Sequence, residues 1–291
     1  MSMTMIILLT LKLSIMLNVV AVGLLSTHQD ALYLFTRPRQ LLRSMLAMNV
    51  IMPVVAASLA AGFNLNPAVK LALVGLAVSP VPPLFPRKAI KAAGESSYPV
   101  GLLVAASLLA IVFVPFAIDV LGNVFGHSVH VPVATVMKVV LSAVLAPLAA
   151  GILLRRWLPE LSHRLARPVG IIAMALLLAA FVPVLLTTGK AMWSLVGNGT
   201  LAAFAAFIIA GLAAGHLLGG PAHRDRPVLA LATAMRHPGM AIAIATSTFP
   251  QQKLATPAVL LYLIVGLLFT SLYLAWRRKQ QPTAQKDRLA A

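Results

Sequence analysis

Long apolar segments constrain the fold of this chain more than any other feature of its sequence. A bilayer core of about 30 Å requires roughly 20 apolar residues per helix. Nine segments of this kind lie along the 291 residues, at 5–26, 40–62, 67–83, 98–121, 131–154, 168–189, 196–219, 226–249 and 256–277. The sequence therefore predicts an all-α polytopic membrane protein with nine transmembrane helices and the lipid bilayer as its surroundings.

Positive charge is distributed unevenly between the connections. The formal net charge is +17, yet 17 basic residues follow odd-numbered segments and only Lys190 and Lys253 follow even-numbered ones. Because cytoplasmic loops carry an excess of Lys and Arg, we expect an outer N-terminus and a cytoplasmic C-terminus in a cell (inner) membrane. Because the basic residues lie in alternate loops of a membrane protein, the net charge does not indicate a nucleic-acid partner.

Acidic side chains are predicted to avoid the helix interiors. All six fall in or at the edges of loops, at Asp30, Glu95, Asp119, Glu160, Asp225 and Asp287. A cation pump or symporter usually holds its ion with a membrane-buried carboxylate, so that route is closed here apart from neutral oxygen ligands. With no cysteine, no metal-ligand spacing and no catalytic constellation, we expect neither an enzyme, nor a bound metal, nor a cofactor.

Two proline-rich breaks interrupt the apolar pattern, the first at 79–88 and the second at 235–240. Non-helical backbone survives at membrane depth only where protein or water receives its polar groups. The distribution of basic residues between the connections predicts that the two broken helices run in opposite directions. Inverted repeats with discontinuous helices have this arrangement and form a site near the midplane. The breaks therefore predict a transport site that includes Ser79, Pro80, Arg236, His237 and Gly239.

Four basic residues lie within the predicted spans. Lys12, Lys70 and Lys138 are near enough to helix ends to extend to the interface, whereas Arg236 is in mid-segment. Two interpretations of Arg236 remain open: it ties together backbone carbonyls freed by the break, or its planar fork of donors receives an anionic substrate. His237 is either a second donor or a packed hydrogen-bonding residue.

Three glycines, Gly211, Gly215 and Gly219, recur at every fourth position of the seventh segment. This spacing predicts a smooth face for close helix packing. A transmembrane domain over residues 1–278 and a disordered cytoplasmic tail over 279–291 complete the expected organisation.

Three stretches of the sequence resemble the bile acid:sodium symporter family. They are residues 40–61 with Asn49-Val50-Ile51-Met52-Pro53, Ser79-Pro80 at the first crossover, and residues 235–245 with Gly239-Met240-Ala241-Ile242-Ala243 at the second. The resemblance covers nearly the whole chain and implies nine or ten helices in two inverted repeats with two broken, crossing helices. It also implies a core of about 40–121 and 196–277, and a panel of about 5–26 and 131–189.

Departures from the family pattern concern the sodium sites. Where the resemblance implies a sodium-binding Glu this chain has Ala232, and Arg236-His237 replaces Gln-Asn. Phe85-Pro86 replaces Ser-Asn, and Ser107 remains of the hydroxyl ligands in the next helix. The resemblance thus places Ser107 among the candidate substrate-binding residues, and Thr233 completes the set.

These observations together predict a secondary transporter of an organic anion, bile acid-like or a small carboxylate, that works by alternating access. Fixed positive charge is expected to replace sodium. A sodium-coupled symporter with neutral oxygen ligands, and a passive anion channel or sensor module, remain alternatives. The sequence leaves the substrate's identity, the coupling ion and the oligomeric state open.

Overall fold

A computed structural model describes residues 3–126 and 129–280 of the chain, and the described elements are helices. The helices are α1 (Met3–Gly23), α2 (His28–Leu32), α3 (Pro38–Met45), α4 (Met52–Gly62), α5 (Pro67–Val78), α6 (Phe85–Ala93), α7 (Ser97–Val124), α8 (Val133–Val140), α9 (Ala146–Trp157), α10 (Pro159–Trp193), α11 (Thr200–Leu218), α12 (Asp225–Ala234), α13 (Pro238–Thr248) and α14 (Ala255–Gln280). Two π-helical turns, Leu46–Ile51 and Leu141–Leu145, join α3 to α4 and α8 to α9.

Eight helical stretches within the described residues are long and apolar enough to cross a bilayer. The all-α polytopic fold class is confirmed, while the count of nine spans stays a prediction. The difference lies at 67–83, which forms the 12-residue α5 and then leaves the helical conformation. Four prolines between residues 80 and 86 withdraw N–H donors there, so the segment continues as a break followed by α6.

Several boundaries differ from those expected. Helix α10 begins at Pro159 and continues for 35 residues through Pro168 and Pro183, whereas the sequence predicted a span of 168–189. Asp119 lies inside α7, five residues before its end, rather than at a loop edge. Residues 279 and 280 belong to α14, and the remainder of the predicted tail, 281–291, lies outside the described residues.

Small residues bring pairs of helices into close contact. A Cβ atom on Gly215 would lie 2.5 Å from the carbonyl oxygen of Leu229, and one on Gly219 would lie 2.6 Å from the Cα of Arg226. The glycine face of α11 therefore packs directly on α12, as the sequence predicted. Helices α1 and α9 meet in the same way at Gly23 and Gly151.

The two broken helices pack against each other. Helix α5 packs against α13 and α14, while α6 packs against α12. Each half-helix of the first break thus lies beside one half-helix of the second. An apolar core that includes Leu73, Phe207 and Val259 surrounds the α5 side of this crossing.

Candidate functional site at the helix crossover

The first break begins where α5 runs into proline. Pro80 has no N–H to donate to the carbonyl of Leu76, the bond that would continue an α-helix. Ser79 instead closes the last turn, with its N–H donating to the Leu76 carbonyl at 3.1 Å and its Oγ donating to the Gly75 carbonyl at 2.5 Å. Residues 79–84 then run outside any helix until α6 begins at Phe85.

The second break is shorter and includes residues 235–237. His237 caps α13, because its Nδ1 accepts a hydrogen bond from the N–H of Met240 at 3.2 Å, and Pro238 fits the first helical position. The N–H of His237 donates to the carbonyl of Pro80 at 2.9 Å. This bond joins the two breaks, and we call the paired segments 79–84 and 235–237 the crossover.

Arg236 is buried at the crossover, with 1% of its surface exposed. Its Nε donates to the Leu76 carbonyl at 3.0 Å, and its Nη2 donates to the carbonyls of Met48 at 3.2 Å and of Ala77. A guanidinium carries its donors in a rigid planar fork, which allows one side chain to join segments distant in sequence. Positive charge is also favourable at the C-terminal end of α5, where the helix dipole is negative.

Proline also influences the Met48 carbonyl that Arg236 contacts. Met48 lies in the π-helical turn Leu46–Ile51, where hydrogen bonds run from residue i+5 to residue i. The residue five positions after Met48 is Pro53, which has no N–H to donate. Arg236 therefore supplies a donor to a carbonyl that proline leaves short of one.

Three buried polar atoms near or within the predicted site have no hydrogen-bond partner among the described residues: Nη1 of Arg236, Nε2 of His237 and Oγ of Ser107. A buried polar group without a partner costs about 1–3 kcal/mol, so each of these atoms has hydrogen-bonding capacity that a ligand could use. Thr233 differs, because its Oγ1 donates to the Leu229 carbonyl within its own helix at 2.7 Å.

The structure brings some of the predicted site residues together. Pro80 and His237 share a hydrogen bond, and Arg236 contacts the end of α5, whereas Ser107 and Thr233 are fully buried in neighbouring helices. Gly239 is exposed in the first turn of α13. The N-terminus of α13, with the ring of His237 beside it, is thus the part of the predicted set that reaches the surface.

Tyr262 belongs to the same site, and the sequence did not indicate it. Its hydroxyl donates to the carbonyl of Ala234, the last residue of α12, and its ring packs edge-on against Phe204 and Phe207 at 5.8 and 5.9 Å. The position of a Tyr in an apolar helix gives no pattern from which such a partner can be predicted. Its contact stabilises the helix end that precedes Arg236.

A cavity of about 610 Å³ lies at the end of the molecule where α5 begins and α13 ends. Its lining extends to Gly75 and Ile244, and it contains Lys70, which the sequence assigned to the interface. At the opposite end, a second cavity of about 460 Å³ is lined by Arg37, Arg39 and Arg43 and by the loop at 219–222. The broken helices thus extend between two cavities that contain basic residues.

Two basic residues of α6, Arg87 and Lys88, form hydrogen bonds with other helices of the molecule. Nη1 of Arg87 donates to Oδ1 of Asn18 in α1 at 2.5 Å and to the carbonyl of Gly170 in α10 at 3.2 Å. Nζ of Lys88 donates to Oγ1 of Thr270 in α14 at 2.6 Å. Arg87 therefore connects the first broken helix to two helices outside the crossing.

Two discontinuous helices that meet at their breaks, in an apolar helical chain, are the arrangement with which many membrane transporters form their binding site. The described residues contain no group of three or more His, Asp or Glu placed to hold a metal ion. The chain belongs to the Sodium Bile acid symporter family, whose model matches residues 6–195. It is therefore a multi-pass membrane protein of a transporter family.

Proteins from plants match the chain at low identity. The chain is 26% identical over 286 residues to a probable sodium/metabolite cotransporter, BASS6, chloroplastic, of Arabidopsis thaliana, covering 90% of this chain and 66% of the relative. It is also 26% identical over 164 residues to the probable sodium/metabolite cotransporter BASS5, chloroplastic, of Oryza sativa subsp. indica, covering 53% of this chain and 40% of the relative. The chain thus spans less than two thirds of the length of these curated relatives.

Proposed function

We propose that this chain is a secondary transporter of organic anions that works by alternating access without sodium. The observation that carries the proposal is the guanidinium of Arg236 on the carbonyls of Leu76, Ala77 and Met48. In transporters with discontinuous helices, carbonyls at half-helix ends coordinate the coupling cation. Arg236 supplies a covalently attached positive charge to oxygens of that kind.

The surroundings of Arg236 also disfavour a second cation. No carboxylate within residues 3–126 and 129–280 forms a hydrogen bond or ion pair with Arg236. Ala232, fully buried in α12, occupies the place that family resemblance gives to a sodium-binding Glu. A sodium ion here would meet a like charge without a compensating acid, and a desolvated cation needs that compensation.

An anion is the ligand that suits the exposed start of α13. The first N–H groups of a helix carry partial positive charge and bind anions, and Arg236 adds a full charge three residues before Gly239. His237 has its Nε2 unpartnered beside this turn. A carboxylate substrate, bile acid-like or smaller, fits this arrangement.

Transport requires that two groups of helices move against each other. In our proposal α1 and α8–α10 form the panel, corresponding to about 5–26 and 131–189, and the crossing helices with their neighbours form the core, at about 40–121 and 196–277. Contacts of α1 with both α9 and α10 support the panel grouping. We propose an outer N-terminus and a cytoplasmic C-terminus in a cell (inner) membrane, on the charge pattern of the loops.

Sodium-coupled transport is the second candidate, because both plant relatives are named as probable sodium/metabolite cotransporters. Neutral oxygens would then hold the ion, and the unpartnered Oγ of Ser107 is an available ligand. A passive channel or sensor module is the remaining alternative.

Uptake into proteoliposomes distinguishes these candidates. The purified protein is reconstituted, and initial uptake rates of cholate and of a small keto acid are measured with external sodium and then with potassium in its place. We expect equal rates in the two salts and saturable counterflow, which a channel does not show. A strict sodium requirement would refute the proposal in favour of the symporter.

A further inference from the structure

The cavity of about 610 Å³ combines an apolar wall with one basic side chain. Its wall includes Leu71, Val74, Ile118 and Ile244 from three different helices. Lys70 lines the same space, and its ammonium has no hydrogen bond or ion pair within the described residues. Ligand sites are typically cavities of about 300–1,000 Å³ with mostly apolar walls and a few polar groups.

The environment of Lys70 differs from that of the other lysines near helix ends. Lys12 and Lys138 are exposed, as expected for side chains that extend to the lipid interface, whereas Lys70 is partly buried. The acid on the neighbouring α7, Asp119, is held by Nδ1 of His130 at 3.2 Å. Lys70 therefore presents a positive charge to the cavity without an acidic partner.

The cavity also leads toward the crossover. Lys70 precedes the end of α5 at Val78 by eight residues, or about 12 Å along a helix that rises 1.5 Å per residue. Gly75, at the inner end of the lining, is one turn from Val78. A ligand in the cavity therefore lies beside α5 and α13, the two half-helices that lead to the breaks.

We infer that this cavity is a binding site for an amphipathic organic anion, whose carboxylate or sulfonate pairs with Lys70 while its apolar body packs against Leu71, Val74 and Ile244. It is distinct from the crossover, and it is the position that a substrate occupies before it reaches Arg236. The inference rests on the proposed transport of organic anions. It assigns Lys70 the role of selecting for negative charge.

Labelling of one introduced cysteine tests the inference, because the chain has no cysteine of its own. Thr248→Cys places a thiol in the cavity wall, and a water-soluble maleimide reports its accessibility in lipid nanodiscs. The probes are 2-naphthoate and its neutral counterpart 2-naphthamide. We expect naphthoate to slow the labelling and naphthamide to have little effect.

Matched variants connect this protection to Lys70. Lys70→Gln should weaken protection by naphthoate about tenfold, the loss expected for one charge-assisted hydrogen bond. Lys70→Arg, which keeps the charge, should stay within about threefold of the parent on the same grounds. Lys138→Gln removes an exposed lysine outside the cavity and should change nothing.

The inference is overturned if naphthoate gives no protection, if naphthamide protects equally, or if Lys70→Gln is protected as well as the parent. Melting temperatures of the variants show whether each is folded, and Lys70→Arg supplies the comparison if Lys70→Gln is not. Sodium-free uptake of naphthoate separates this result from the proposed function. If protection depends on Lys70 but the protein shows no sodium-free uptake, the binding site stands and the proposed sodium-free transport is refuted. If uptake occurs but naphthoate protects Lys70→Gln as well as the parent, the binding site is refuted and the proposed transport stands.

Discussion

Replacement of Arg236 by Met tests whether its charge acts on the substrate or only on the backbone. Met fills part of the same space but removes the Arg236 donor from the carbonyls of Ala77 and Met48, whereas the Leu76 carbonyl keeps its bond from the N–H of Ser79. Each unsatisfied carbonyl costs about 1–3 kcal/mol. The loss of a buried ion recovers a desolvation penalty of several kcal/mol, so the two effects oppose each other and we expect the protein to remain folded.

The effect on an anion follows from the distance along the chain. Arg236 and Gly239 are three residues apart, which places their Cα atoms within about 10 Å of each other. If the guanidinium and a bound anion are separated by that distance, they interact by about 1.7 kcal/mol at an effective dielectric constant of about 20. Arg236→Met should therefore raise the KM or Kd for a monovalent anion bound at the start of α13 about seventeenfold.

Uptake kinetics in proteoliposomes measure this change, with melting temperatures as a check on folding. Arg236→Lys keeps the charge and should bind the anion nearly as well as the parent, although it loses the planar fork. Arg277→Met removes another buried arginine, at 7% exposure and bonded to the carbonyl of His223, and should leave KM unaltered. An unchanged KM in a folded Arg236→Met protein would show that the residue serves the backbone alone.

Three further predictions concern packing, the contact between helix groups, and the cap of α13. Gly215→Ala places a Cβ 2.5 Å from a carbonyl oxygen of α12 and should destabilise the protein by about 1–3 kcal/mol. Gly189→Ala has open space around its Cβ and should leave the stability unaltered. Unfolding temperatures of the two variants test the difference. Arg87→Met removes the hydrogen bonds to α1 and α10. A cysteine introduced at Ala166, which is buried one turn from Gly170, should then become reactive to maleimide. Unaltered reactivity would show that Arg87 does not hold the helices together. His237→Ala removes the acceptor at the first turn of α13 and should cost about 1 kcal/mol, whereas His237→Asn, another capping residue, should cost less; equal melting temperatures would contradict the capping role.

Proline made the location of the crossover predictable from the sequence. Pro80 and Pro238 exclude regular helix at the points where the structure has its breaks, and the distribution of basic residues between the connections predicted their opposite directions. The partners of Arg236 were not predictable, because its three carbonyls lie about 160 to 188 residues away in the chain and one belongs to a π-helical turn. Side-chain pattern does not indicate which carbonyl lacks a donor.

The position of Lys70 in a cavity wall shows a second limit of the sequence. Lys70 and Lys138 both lie near the ends of apolar segments, and each was expected to extend to the interface. Whether such a side chain faces lipid or a cavity depends on the neighbours that pack beside its helix, here α7 and α13. That arrangement exists only after distant segments have packed together.

In the proposed carrier without sodium coupling, the bonding of Arg236 to the crossover has a consequence for the energetics of transport. A sodium ion moves with its substrate and can balance the charge that crosses the membrane, whereas a guanidinium attached to the chain stays with the protein. A carrier with such a fixed charge moves a monovalent anion as a net negative charge. A potential of 100 mV, negative inside, then biases the anion outward by about 2.3 kcal/mol, or roughly fiftyfold in its equilibrium distribution. Such a carrier would use the membrane potential to export its substrate.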